Sequence, residues 1–182
     1  SEVVRTEEFW DITLHSINSI LWRWSSSPSK FNQEDTYIIG NITQLENQLK
    51  LAKEFEYLST PILETIIDKI NALRLKETSP LFEAEVEHLD RKRKICFIAN
   101  SYSYSFLDEQ TQKISAKWCV KMPSELRKDE TFDEVVFFGQ FKNLFYGKFS
   151  DPTLEFIFTS SRAEKIYWVH YNWISSKWKP EI

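Results

Sequence analysis

Glycine is scarce in this 182-residue chain: only Gly40, Gly139 and Gly147 occur. Loops that cradle phosphate need several glycines so that the backbone can approach the ligand, and neither a Walker-type nor a dinucleotide fingerprint is present. Cysteine is limited to Cys96 and Cys119, and no C-x-x-C or H-x-x-x-H spacing occurs. The three histidines, His15, His88 and His170, lie far apart along the chain. No metal site and no cofactor are therefore expected. No apolar run reaches the roughly 18–20 residues of a membrane-spanning helix. No secretory signal pattern is found, so the expected setting is reducing and intracellular, cytoplasmic or nuclear. The chain begins Ser-Glu-Val-Val and its one methionine is Met122, as expected of a processed chain or a piece of a longer one.

Excess charge of one sign is also missing. Residues 1–79 carry 8 basic and 12 acidic side chains, and residues 80–182 carry 15 of each. Neither part is a polycation, so bulk charge gives no grip on nucleic acid. No serine sits on a glycine-flanked elbow, and the carboxylates Glu83, Glu85 and Glu87 read as a solvated row beside lysines. The expectation is a protein without chemistry of its own.

Aromatic residues are plentiful, at 15%, with 14 Phe, 7 Tyr and 7 Trp. In residues 6–25, Trp10, Leu14, Ile17, Leu21 and Trp24 recur at helical steps, widened by Phe9 and Ile20. A second stripe over 33–58 comprises Ile38, Ile42, Leu45, Leu49, Ala52 and Phe55. Thr60-Pro61 marks a third start, with a capping hydroxyl and proline in the first turn, and the helix is expected to stop near Lys76.

From Pro80 the apolar period reads as two. Phe82, Ala84, Val86 and His88 alternate with glutamates, which predicts a half-buried strand. Further strands are predicted at 94–106, 113–122, 135–146, 154–159 and 165–174. Short polar connections between them predict an antiparallel meander. The predicted fold is α+β, with about three helices in a segment 1–79 and an antiparallel sheet of five to six strands in 80–182. A sheet with a dry face needs a cover, so the two segments are expected to pack as one compact domain. Pairing of 94–106 with 113–122 would set Cys96 opposite Cys119 or within a few residues of it, as two reduced, half-buried thiols.

The stretch "EKIYWVHYNWISSKW", Glu164 to Trp178, concentrates aromatic residues. As a strand it puts Tyr167, Val169 and Trp173 toward a core, and Trp168, His170 and Asn172 on a mixed face. The leading reading is a protein-interaction module, adaptor or assembly, whose contact residues are Trp168, His170, Asn172 and Trp178, with Tyr102 and Tyr104 second. One alternative is a helix-and-sheet cone holding a small apolar ligand near His88 and Trp118, with weak catalysis at most. Another is single-stranded nucleic-acid binding through 91–106, where Arg91, Lys92, Arg93 and Lys94 precede Tyr102 and Tyr104.

Overall fold

The first helix, α1, spans Glu2–Ser26. Its stripe is rotated from the one the large apolar residues predict. Phe9, Thr13, Ser16, Ile20 and Trp24 are buried, whereas Leu14 and Leu21 are exposed. Two small polar residues at the centre of the inner face make this possible. The Thr13 hydroxyl donates to the Phe9 carbonyl at 2.8 Å, so its burial leaves no bonding capacity wasted.

Helix α2 runs Thr36–Glu54, starting three residues later than the stripe alone implies. Asp35 sets the start: its side chain accepts from the Tyr37 and Ile38 N–H groups at 2.9 and 3.3 Å. Arg23 Nε also donates to it at 2.7 Å. Helix α3 spans Thr60–Arg74 with Pro61 in its first turn. Thr60 does not cap as an acceptor. Its hydroxyl donates to the Tyr57 carbonyl at 2.7 Å, tying the α2–α3 turn. Ile38, Ile42, Leu45, Ala52, Leu63, Ile67 and Ile70 join Phe9, Ile20 and Trp24 in one core.

The computed structural model describes residues 2–32, 34–57, 59–127, 129–138 and 162–171. The chain divides into two compact units. One comprises Ser1–Trp24 with Lys30–Thr78, and the other comprises Ser25–Ser29 with Ser79–Ile182.

The second unit corrects the predicted meander. Residues Pro80–Val86 form helix α4, not a strand. Ser79-Pro80 is its start signal: the Glu83 carboxylate accepts from the Ser79 N–H at 2.9 Å, and proline fills the first turn. Leu81, Phe82 and Val86 then meet the core from one helical face, and Leu89 joins them from the turn that follows. The alternation of glutamates was a coincidence of spacing. Strand β1 is only Ile95–Ile98, and the chain then turns into helix α5, Tyr104–Ile114. Strand β2 is Trp118–Lys121, β3 is Phe132–Phe138 and β4 is Ala163–Val169. The predicted strand 154–159, and the ends of the predicted strands 135–146 and 165–174, lie outside the described residues.

Among the described residues the sheet has four strands in the order β2-β1-β3-β4, and every pair is parallel. The antiparallel sheet is thereby excluded for these strands; the fold is mixed α/β. The chain runs from β1 through α5 to β2, then returns by 122–131 to β3 on the other side of β1. Leu107 of α5 packs on one sheet face with Phe97, Trp118, Val120, Val136 and Phe138, and α4 adds Leu81 and Phe82 there. Leu126 of the return packs on the opposite face with Cys96, Ile98, Val135 and Phe137. The cover for the dry face thus comes from α4, read as a strand, and from α5 and the 122–131 return, read largely as turn and loop.

The amino ends of the strands are stitched by charge. Arg93 Nε lies 3.3 Å from the Glu134 carboxylate, and the guanidinium also pairs with Glu164 on β4. The Asp133 carboxylate accepts from the Lys94 N–H at 2.7 Å. Nearby, Glu85 has a carboxyl oxygen that is buried without a partner. Burial raises its pKa, His88 opposes that shift, and the Glu134 charge adds to it. A carboxyl whose pKa is raised by folding weakens the fold above that raised value and stops doing so once the pH falls below the ordinary carboxyl range. Glu85→Gln should therefore stabilise the protein at neutral pH. The gain should vanish in acid, as read from denaturation midpoints along a pH series; an equal gain at every pH would refute this origin.

Candidate functional site

A parallel sheet gathers the carboxyl ends of its strands at one edge. Here that edge carries Lys121, then Asn100–Tyr104, then Phe138, then Trp168–His170. Strand order reverses between β1 and β3: the chain steps from β1 to β2 on one side, then returns past β1 to β3 on the other. Ligands of open parallel sheets bind at such a point, outside the carboxyl ends.

Asn100 occupies it. The residue is 2% exposed. Its Oδ1 accepts from the Ser103 N–H at 3.1 Å and from the Ser103 hydroxyl at 2.6 Å. Its backbone carbonyl accepts from the Tyr104 N–H at 3.0 Å, which begins α5. The amide is thus fixed in orientation, with its oxygen spent on the turn. Its Nδ2 is buried and has no hydrogen-bond partner. Leaving a buried donor unmade costs about 1–3 kcal/mol, so such a group calls for an explanation. Helix α5 starts beside it, with no acidic residue in its own first turn to oppose the positive end of the helix dipole.

The residues singled out in the sequence fall in several places. Tyr102 lies in the turn before α5, and Tyr104 is the first residue of α5 and packs on the core. They do not form the aromatic row of a strand, since residues 99–103 are not strand. Trp168 stacks on Phe137 with ring centroids 5.9 Å apart and meets His170 at 4.6 Å. Trp168 and His170 are brought together, both half-buried; Tyr102 and Tyr104 share their sheet edge. Asn172 and Trp178 lie outside the described residues. His88 is exposed after α4, so it lines no interior cavity, while Trp118 is buried in the core. In the basic run, Arg93 is committed to acidic partners. Lys94 donates to the Thr131 carbonyl at 2.6 Å and lies over the Phe132 ring at 4.7 Å. Arg91 and Lys92 are exposed.

The helical unit has a concavity of its own, of about 500 Å³, walled by Phe9, Ile12, Leu51, Phe55 and Tyr57 with Glu8 and Gln48. Among the described residues no three His, Cys, Asp or Glu side chains gather as a metal site, and no helix is long and apolar enough to cross a membrane.

Asn100 was missed in the sequence. Its signal was present: an asparagine directly after a short apolar run, with serine three residues on, is a turn that caps a helix. Comparison of the chain with protein-family models, curated proteins and solved structures finds no match.

Proposed function

We propose that the sheet unit is a binding module for a small ligand bearing a carboxylate or a phosphate, held at the carboxyl edge between β1 and β3. The observation that carries this reading is the Asn100 amide, oriented by Ser103 yet left with a buried, unpartnered donor at the strand-order reversal. An acceptor oxygen on the ligand satisfies Nδ2, and the start of α5 favours its negative charge. The segment Ala99–Ser103 holds no glycine, so recognition runs through side chains and not through a wrapped backbone.

The test is thermal denaturation of the full chain against a panel of small carboxylates and phosphomonoesters. A true ligand at a hundred times its Kd stabilises by about 2.7 kcal/mol. Asn100→Asp keeps the oxygen that accepts from Ser103 and replaces the donor by a second acceptor, so it should lose that response. A panel without effect, or a ligand that stabilises Asn100→Asp equally, rules the site out.

A second reading is protein contact through β4. Supporting it are the Trp168–His170 pair and Ile166, which is 36% exposed, on an edge strand of the described sheet. Its measurement is capture of a protein partner by wild type and by Trp168→Ala, with the folding of the variant followed in parallel.

A further inference from the structure

Cys96 on β1 and Cys119 on β2 are register partners in a parallel ladder. Neighbouring strands lie about 4.8 Å apart. That falls inside the roughly 4.4–6.8 Å between Cα atoms that a disulfide spans. Both side chains lie on the same sheet face, with Ile98, Val135 and Phe137. Both thiols are free.

The two sites differ in the way a reactive pair requires. Cys96 is wholly buried, in the centre of the sheet. Cys119 is half-buried, on a strand that is an edge of the described sheet. The neighbouring Cys96 thiol lowers the Cys119 pKa; Lys121 and Lys94 add to this, against burial and Glu130. The same pairing with Cys119, then burial, holds Cys96 well up as a thiol. Lys121 is fixed beside the pair by Glu130, whose carboxylate oxygens accept from Nζ at 2.5 and 2.7 Å.

We propose that Cys119 and Cys96 form a reversible dithiol–disulfide site for oxidants of the hydroperoxide class, Cys119 attacking and Cys96 resolving. The Cys119 thiolate attacks a peroxide oxygen, the O–O bond breaks, and the leaving alkoxide or hydroxide takes up a proton. Cys119 is then a sulfenic acid. The Cys96 sulfur attacks it, the S–O bond breaks, and hydroxide departs with the Cys96 proton as water. Two thiols and one hydroperoxide give one disulfide, one water and one alcohol, or a second water when the oxidant is hydrogen peroxide. The sulfurs lose two electrons and the peroxide gains them. Parallel side chains across a ladder start slightly farther apart than bridged Cβ atoms, so closure draws β2 toward β1 and leaves a bond that small dithiols reopen.

The test treats the reduced, folded full chain with hydrogen peroxide and follows intact mass, peptide maps and circular dichroism. Expected are a mass lower by two hydrogens, a Cys96–Cys119 cross-linked peptide with the fold retained, and full reversal by a dithiol. Cys96→Ser should stop at a Cys119 sulfenic acid, trapped by a cyclic dione, and Cys119→Ser should leave Cys96 unmodified. In wild type, alkylation should be on the order of tenfold faster at Cys119 than at Cys96. Retention of both thiols, oxidation of Cys119 to higher oxides without a bridge, or a bridge found only after unfolding overturns the proposal. If either serine variant fails to fold, the wild-type peptide map and alkylation rates decide alone.

Discussion

Phe97→Ala should remove about 3–5 kcal/mol from the stability of the sheet unit. Phe97 is wholly buried on β1. Its ring lies between Trp118, at 5.4 Å, and Phe138, at 6.3 Å and nearly parallel, with Phe82 of α4 also at 6.3 Å. Truncation empties the point where two strands and a helix meet, and rings on three elements cannot all collapse into the gap. The loss is the transfer free energy of the ring plus the residual cavity. Domains of ordinary stability hold about 5–15 kcal/mol in total, so a large part of this unit's margin disappears. Urea denaturation, followed by circular dichroism and tryptophan emission, measures it. Phe97→Leu should retain markedly more stability, because it keeps most of the volume. An unchanged midpoint for Phe97→Ala would mean that the strands do not pack against α4 in this way.

The second large effect is at Trp168. Truncating a fully buried tryptophan costs about 3–5 kcal/mol, so at a half-buried position on an edge strand of the described sheet about 2 kcal/mol is expected for Trp168→Ala. The stack on Phe137 accounts for part of it, since such pairs contribute about 0.5–1.5 kcal/mol beyond area. The variant should fold with a lowered midpoint. His170→Ala removes the ring beside Trp168 without touching that stack, so its midpoint should shift less. If the β4 edge is a protein contact, both variants lose capture of the partner. If both retain it, Trp168 serves packing alone and the second reading fails.

Local chemistry in the sequence located the first three helices but neither α4 nor α5. The stripes of α2 and α3 were legible because Ile38, Ile42, Leu45, Leu63, Ile67 and Ile70 are large and recur at the helical period. In α1 the same rule placed the stripe slightly off: Leu14 and Leu21 are exposed, while Thr13 and Ser16 reach the core through small size and, for Thr13, a local hydrogen bond. The runs "ICFI" and "VVFF" were legible as strands. They also held an unread sign of direction. A strand apolar on both faces belongs to a covered sheet, and covered sheets are where parallel strands occur. A half-wet meander alternates instead.

What local pattern could not supply was the path between strands. Period two looks the same whichever way the neighbour runs, and the seven residues of α4 are too few to separate helix from strand. The opposition of Cys96 and Cys119 was foreseen from an antiparallel turn, yet it arises from a parallel pair on either side of α5. Composition by itself determined only which signatures are missing: several glycines for a phosphate loop, clustered ligands for a zinc module, and an excess of positive charge for a polyanion. Only the tertiary structure decided where the open polar group lies. Running every described strand the same way sends all their carboxyl ends to one edge. Reversing the strand order at β1 sets the buried Asn100 amide at the gap, an arrangement made by long-range topology that no window of sequence contains.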